Sequence, residues 1–330
     1  MKSNADKSIK TPEWAKYSPY DCYFDFIAPD ADRYAILTKQ ISSIKFNSTV
    51  INVEGNNHIF IFPPGNKSLR SASGVFPFSG SNPYLFSAHY DRVAGSPGAN
   101  DNSIAVFHLL SAAIALAQKG IDRWIIVFTD KEELTAGESF EKQGSFSLAK
   151  KIKSWGLERA KIFNFDACGS GGVFIISTTT DIILKTAGHD GISPNICEII
   201  KNIASLRDHA LETAQNLRLE RVLLAPTPFS DDVGFLRAGL AAQTVTMLPA
   251  NEANQYEALL RDRPDFGNLI ISGEVKAPAE YRRLPETWRS LNNAQDTPAR
   301  LTHEYFKTFV NFVVGLCAGN LRKEAELTGK

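Results

Sequence analysis

Three strand-like apolar runs in this chain are each followed by residues that can bind a divalent metal ion. His89 ends the first run, the pair Glu132-Glu133 follows the second, and Asp166 follows the third. In open α/β sheets, the crevice used for binding lies at the carboxyl ends of the strands, so these side chains are expected to converge there. Imidazole and carboxylate groups are common ligands of Zn²⁺. The spacing therefore predicts a zinc-type hydrolase.

A loop that begins with glycine supplies a further acid. It reads Gly98-Ala99-Asn100-Asp101-Asn102, and its small residues let the backbone crowd a site, so that Asp101 could bridge two metal ions. Asp91, two residues after His89, is expected to orient the imidazole and fix its tautomer. A His-x-Asp pair by itself also fits a loop histidine bonded to its neighbour. The presence of Asp101 in the following glycine loop favours a metal site over that simpler interpretation.

The two adjacent glutamates suggest a division of labour. Acids at a helix start also complement the helix dipole, which is the simpler interpretation. At a strand-to-helix turn, however, both side chains can reach one cleft. One could then bind the metal while the other takes a proton from water that the metal activates. Asp166 lies in Asn-Phe-Asp-Ala-Cys-Gly-Ser-Gly-Gly and, taken alone, fits a simple turn aspartate.

Composition narrows the possible partners. The 330 residues are 43% hydrophobic and carry 36 basic and 36 acidic side chains. With no net charge, the chain is not expected to bind nucleic acid or a membrane, and a peptide or aminoacyl small molecule is the expected substrate. No signal peptide or membrane-spanning run is visible, which favours a cytoplasmic location. Four scattered cysteines indicate reduced thiols. The oligomeric state stays open.

Apolar periodicity predicts strands that alternate with helices, and hence a three-layer α/β/α sandwich with a central mixed, mostly parallel sheet. Residues 1–30 are expected to form an irregular lead-in, and residues 31–330 a single domain. Residues 249–285, polar and rich in proline, are interpreted as a long excursion with a strand only at 269–271. Predicted strands are 49–53, 58–62, 84–88, 124–129, 162–165, 173–177 and 243–247; predicted helices are 31–45, 103–119, 140–154, 193–218 and 301–318.

As a set, these motifs resemble the M28 family of zinc aminopeptidases and carboxypeptidases, and more distantly the glutaminyl cyclases of the same fold. A late segment, Phe-Ser-Asp-Asp-Val-Gly-Phe at 229–235, adds to the resemblance, which covers residues 30–320. It implies that His89 and Asp166 are ligands of one zinc ion and that Asp101 is the bridging carboxylate. It also implies that Glu133 is a ligand of a second zinc ion and that Glu132 is the general base.

The sequence departs from the family pattern at the fifth ligand. Family members usually have a histidine four residues before an Asp-Thr pair, and here Asn292 precedes Asp296-Thr297. A cyclase-like register places Arg289 after Trp288, again without histidine. The nearest histidine, His303, is expected inside the last helix.

This departure predicts the metal content. Asparagine is a poorer zinc ligand than imidazole. We therefore expect one tightly bound Zn²⁺ on His89, Asp101 and Asp166, with the second position weak or empty. If Asn292 does bind, Mn²⁺ or Mg²⁺ could share the site.

The leading hypothesis is an aminopeptidase, with Asp231 or Asp232 helping to hold the substrate's amino terminus. Where family members often have Ser-Asp-His, this chain has Ser-Asp-Asp at 230–232. One alternative is a single-zinc acyltransferase of the glutaminyl cyclase type, suggested by Trp288. Another is a homologue that binds metal and peptides without catalysis.

Other candidates are weaker. Four histidines without metal-spaced partners are expected to be structural or on the surface: His58, His108, His189 and His209. The glycines at 169–172 do not form a P-loop pattern, and no Gly-x-Ser-x-Gly motif of serine hydrolases occurs.

Overall fold

The computed structural model describes residues 19–65, 82–135, 137–186, 196–272 and 278–328. Within these ranges, eight strands form one sheet in the order β1-β2-β4-β3-β5-β8-β6-β7. The strands are β1 (Ser48–Val53), β2 (Asn56–Ile61), β3 (Tyr84–His89), β4 (Trp124–Thr129), β5 (Lys161–Phe165), β6 (Val173–Ser177), β7 (Val222–Ala225) and β8 (Ala242–Leu248). The central strands β4, β3, β5 and β8 are mutually parallel. Strand β2 pairs antiparallel with β4, and β6 pairs antiparallel with β8.

Helices cover both faces of this sheet. They are α1 (Tyr23–Ile27), α2 (Arg33–Ser43), α3 (Ile104–Gln118), α4 (Gly144–Ser154), α5 (Thr179–Thr186), α6 (Ile196–Asn216), α7 (Asp231–Arg237), α8 (Ala250–Asp262), α9 (Phe266–Ser272), α10 (Pro278–Tyr281), α11 (Glu286–Ser290) and α12 (Phe306–Thr328). No helix in the described part of the chain is long and apolar enough to cross a membrane.

Successive side chains of a strand point to opposite faces of the sheet, so they pack alternately against the two layers of helices. Phe86 of β3 faces a core built with α2, α3, α6 and α12, whereas its neighbour Leu85 faces a core built with α4 and α7. Ile126 and Ile125 of β4 divide in the same way. Because both faces of these strands are buried, most of their residues are apolar. The predicted three-layer α/β sandwich is confirmed.

Some local predictions were wrong. Residues 269–271 lie in α9 and not in a strand, and the proline-rich stretch contains α8, α9 and α10. A short apolar run does not by itself distinguish a strand from a buried helical turn. Strand β7 was not predicted. His303 lies in a short 3₁₀ turn before α12 and is exposed, so it is not inside the last helix.

The described part of the N-terminal lead-in is attached to the body by aromatic side chains. Tyr20, Tyr23 and Phe26 are buried, and all three rings contact the ring of Phe107 on α3. The predicted domain boundaries stay predictions.

Candidate metal centre

The predicted ligands converge because their strands are neighbours. His89 is the last residue of β3, which lies between β4 and β5. Glu132 and Glu133 follow β4, Asp166 follows β5, and all three parallel strands end at the same edge of the sheet. Asp101 reaches this edge from a turn, Ala99–Ser103, that leads into α3.

Distances define two overlapping groups of candidate ligands. His89 Nε2 lies 3.0 Å from Asp101 Oδ1 and 3.7 Å from Asp166 Oδ1. These three residues offer ligand atoms within 4.8 Å of one another, and so do His89, Glu132 and Glu133. Both groups share the fully buried His89, so either could form around one imidazole.

Several atoms of this cluster that could bind a metal ion lack a hydrogen-bond partner among the described residues. They are buried His89 Nε2, Asp166 Oδ1 and Glu133 Oε1. An unpaired polar atom costs about 1–3 kcal/mol when it is buried. One nitrogen and two carboxylate oxygens are a donor set that suits Zn²⁺. The residues present therefore fit a metal ion.

The electrostatics of the cluster favour a cation. Burial, the largest effect, lowers the pKa of His89, but the carboxylates of Asp101, Asp166 and Asp91 beside its ring together raise it well above its usual range. Burial raises the pKa of Asp101, and the neighbouring Asp166 adds to the effect. Burial also raises the pKa of Glu132. A metal ion would compete with the imidazole proton for the same negative charge, so binding would release protons.

Asp91 joins the end of β3 to the segment after β4. Its Oδ1 lies 3.3 Å from His89 Nδ1, within ion-pair distance, and its orienting role stays a prediction. The same Oδ1 accepts the backbone N–H of Glu132 (3.1 Å), and Oδ2 accepts that of Glu133 (3.0 Å). This carboxylate therefore fixes the histidine and both glutamates together, which the sequence alone did not indicate.

Asp296, which the sequence marks only as part of an Asp-Thr pair, contacts the turn that carries Asp101. It is fully buried, and its two oxygens accept the backbone N–H groups of Asn100 (2.8 Å) and Asp101 (3.0 Å). Burial raises the pKa of Asp296 to about 7. Its carboxylate anchors the turn that carries Asp101.

Two further polar side chains set the orientation of the acids. Ser230 Oγ donates to Asp166 Oδ2 at 2.6 Å, which leaves Oδ1 directed at the cluster. Gln143 Nε2 donates to Glu132 Oε1 at 3.0 Å, which leaves the second oxygen available. Neither role was predicted: Ser230 lies 64 positions from Asp166, and Gln143 lies 11 positions from Glu132 on the same connection, where no sequence motif links the two.

The carboxylates of the cluster border a cavity of about 350 Å³. Its walls are mainly apolar and aromatic, and Asn292 lines it together with Asp101, Glu132 and Asp166; the apolar lining includes Pro228, Phe229, Leu284, Trp288 and Leu291. Asp231 and Asp232 are not among the described lining residues. They are buried at the start of α7, where Asp231 accepts a hydrogen bond from Thr129.

The weaker candidates have structural contacts. His58 Nδ1 accepts the N–H of Asp130 at 3.3 Å, His108 Nδ1 bonds the hydroxyl of Tyr20 at 2.8 Å, and His209 Nε2 bonds the carbonyl of Leu316 at 2.8 Å. His189 lies outside the described residues. In the 169–172 loop, Gly169 donates its N–H to Asn100 Oδ1 at 2.7 Å and Gly171 to Thr302 Oγ1 at 3.0 Å. These amides are already paired within the fold.

The sequence profile of Peptidase family M28 matches residues 74–264, more than half of the chain. The chain belongs to peptidase family M28. Membership in M28 supports a metallopeptidase-type enzyme with zinc as its metal. No curated protein matches the sequence.

Solved structures share the M28 fold at low identity. A zinc aminopeptidase from Bacillus subtilis is 17% identical over 79% of this chain and 48% of its own, with a TM-score of 0.46. The chain therefore spans about half the length of that aminopeptidase. The glutaminyl cyclase of Bacteroides thetaiotaomicron is 15% identical over 90% of this chain and 94% of its own, with a TM-score of 0.56. The glutaminyl cyclase of Porphyromonas gingivalis is 15% identical over 92% and 98%, with a TM-score of 0.53. The similarity to the two glutaminyl cyclases shows a shared fold.

Proposed function

We propose that the protein is a zinc-dependent exopeptidase that acts as an aminopeptidase. The observation that carries this proposal is the convergence of unpaired, buried donor atoms of His89 and Asp166 beside Asp101, at an apolar-walled cavity. These three residues would hold the ion. Glu133 and Asp101 would form the weaker second position, to which Asn292 would add at most a carbonyl oxygen.

The residues around the ion have separable tasks. A bound zinc ion would polarise the scissile carbonyl and lower the pKa of the attacking water. Glu132 would take the proton of that water through the oxygen that Gln143 leaves free and pass it to the leaving amine. The carboxylates lining the cavity would attract the ammonium group of the substrate. Asp231 and Asp232, buried behind them, would contribute through their charge.

Glu132→Gln tests the proposed base. General base catalysis contributes about 10²–10⁴-fold, so we expect kcat for aminoacyl-amide hydrolysis to fall by about that factor. Zinc content, measured by atomic absorption, should stay unchanged. Glu141→Gln, at an exposed position on the same connection, is the control and should keep full activity. Unchanged hydrolysis by a zinc-loaded Glu132→Gln variant would show that the assigned base is wrong.

A glutaminyl cyclase-type acyltransferase is the second candidate. It is supported by the cyclase folds, which this chain matches over 94% and 98% of their length, and by the position of Trp288 in the cavity wall. Ammonia release from peptides with N-terminal glutamine, without hydrolysis of aminoacyl amides, would favour it. Tight peptide binding with no turnover of either substrate class would instead favour a non-catalytic homologue.

A further inference from the structure

A buried arginine outside the ligand set holds together the two ends of the β3–α3 connection, one next to His89 and the other around Asp101. Arg33, at the first position of α2, is only 6% exposed, and its guanidinium lies 4.6 Å from the ring centre of Phe26. All three of its nitrogens donate hydrogen bonds, and because Nη2 has two N–H groups and three acceptors, one of its N–H groups is shared. The acceptors are the carbonyls of Phe26 (3.2 Å), Tyr90 (2.9 Å), Asp91 (3.0 Å), Pro97 (3.0 Å) and Gly98 (3.4 Å), and the hydroxyl of Ser103 (2.6 Å).

Five of these acceptors lie close to two of the proposed ligands along the chain. Nη1 donates to residues 90 and 91, directly after His89, and Nη2 donates to residues 97, 98 and 103, which flank Asp101. The guanidinium is planar and its donors have a fixed fork geometry. One rigid group therefore sets the separation between the backbone that carries the imidazole and the backbone that carries the bridging carboxylate.

Burying this charged side chain costs free energy, which argues that it does more than fill space in the core. Burying a charged group is unfavourable unless it is fully hydrogen-bonded, and all six acceptors here are neutral oxygens. A methionine or leucine would fill the same volume without that penalty. Gly98 also approaches closely, because a Cβ atom there would lie 2.9 Å from Arg33 Nη2.

We propose that Arg33 is a positioning residue that sets the affinity of the metal centre. It would do so by holding the backbone next to His89 and the backbone around Asp101 at the separation that binding one ion requires. The proposal rests on the proposed metal centre. Arg92 adds a parallel tie from the same region, since it donates to the carbonyls of Ile27 (2.8 Å) and Pro97 (3.1 Å). Among the described contacts of Arg92, none is with residues 90–91, so Arg92 does not link the backbone next to His89 to the backbone around Asp101 as Arg33 does.

The test is the zinc dissociation constant of Arg33→Met and Arg33→Lys, measured by competition with a chromophoric chelator. Losing the outer partners of metal ligands typically weakens metal binding by about 10–100-fold, and we expect that loss for Arg33→Met. Lysine keeps the charge but has a single amino group, which cannot contact residues 90–91 and residues 97–103 together as the guanidinium does. Arg33→Lys should therefore show a smaller loss in the same direction. It also serves as the test variant if Arg33→Met does not fold.

Arg207→Met is the matched control. Arg207 is a half-buried arginine that pairs with Asp181 on α5. Its loss should lower the melting temperature while the zinc dissociation constant stays within about twofold, the expectation for a site that is not coupled to the metal. Wild-type zinc affinity in a folded Arg33 variant would overturn the inference alone. Absence of zinc binding by the wild type would overturn the proposed metal centre and this inference with it.

Discussion

At the scale of single residues, the most informative position is Asn292. Its backbone has a φ of +61°, a left-handed conformation that asparagine adopts more readily than most residues. It lines the cavity beside Asp101, so its side chain lies in the same hollow as the proposed second metal position. Histidine also tolerates this conformation. The local backbone therefore does not by itself exclude the imidazole that family members usually carry.

Asn292→His should complete the second position. Adding an imidazole to Glu133 and Asp101 supplies the third protein ligand that zinc sites of this kind use, so bound zinc should rise from about one to about two ions per chain. Equilibrium dialysis followed by atomic absorption measures this ratio. Asn293→His introduces the same side chain one position later and is the control. If Asn292→His still binds one ion, the fifth-ligand position has been misassigned.

At the scale of elements, the strands were predictable and their connections were not. Apolar runs ending in His89 and Asp166 located two ligand-bearing strand ends, because strand periodicity and strand end are local properties of the sequence. Asp296 was not recognised, since its hydrogen bond to Asn100 spans 196 positions and no local pattern indicates it. Arg33 was missed for the same reason, as its contacts to the loop at 97–103 span more than 60 positions.

The turn before α3 offers a test of its own packing. Gly98 and Gly95 both have positive φ values, +60° and +87°. A Cβ atom on Gly98 would lie 2.7 Å from the carbonyl oxygen of Asp101, whereas one on Gly95 would meet nothing within 4 Å. Gly95→Ala should therefore cost only the left-handed strain of about 1–2 kcal/mol in the free energy of unfolding.

Gly98→Ala should cost more, because a steric overlap of about 1–3 kcal/mol is added to the same strain. Urea denaturation of both variants at one pH measures the difference. Equal losses would mean that the turn relaxes freely around residue 98, and that close approach of the backbone to Asp101 is not what requires glycine there.

At the scale of the whole molecule, we expect the acid sensitivity of the fold to depend in part on buried histidines outside the proposed ligand set. Burial lowers the pKa of His108 to about 3 and that of His58 to about 4. His108 is packed between the rings of Phe306 and Phe309, with centroid distances of 4.4 and 4.8 Å. Both groups bind protons more tightly in the unfolded chain, so their contribution is complete above the unfolded pKa of about 6.5 and is lost as the pH falls.

His108→Phe isolates this contribution. Phenylalanine keeps an aromatic ring beside Phe306 and Phe309 but cannot titrate. One buried neutral histidine changes stability by up to about 1.4 kcal/mol per pH unit below 6.5, so between pH 7.5 and 4.5 the wild type should lose about 2–3 kcal/mol more than this variant. Urea denaturation with chelator present removes any contribution of metal release from His89. His303→Gln, at an exposed position, should follow the wild-type curve. Parallel curves for wild type and His108→Phe would mean that His108 takes up its proton as readily in the folded protein as in the unfolded chain, which its enclosure by aromatic rings argues against.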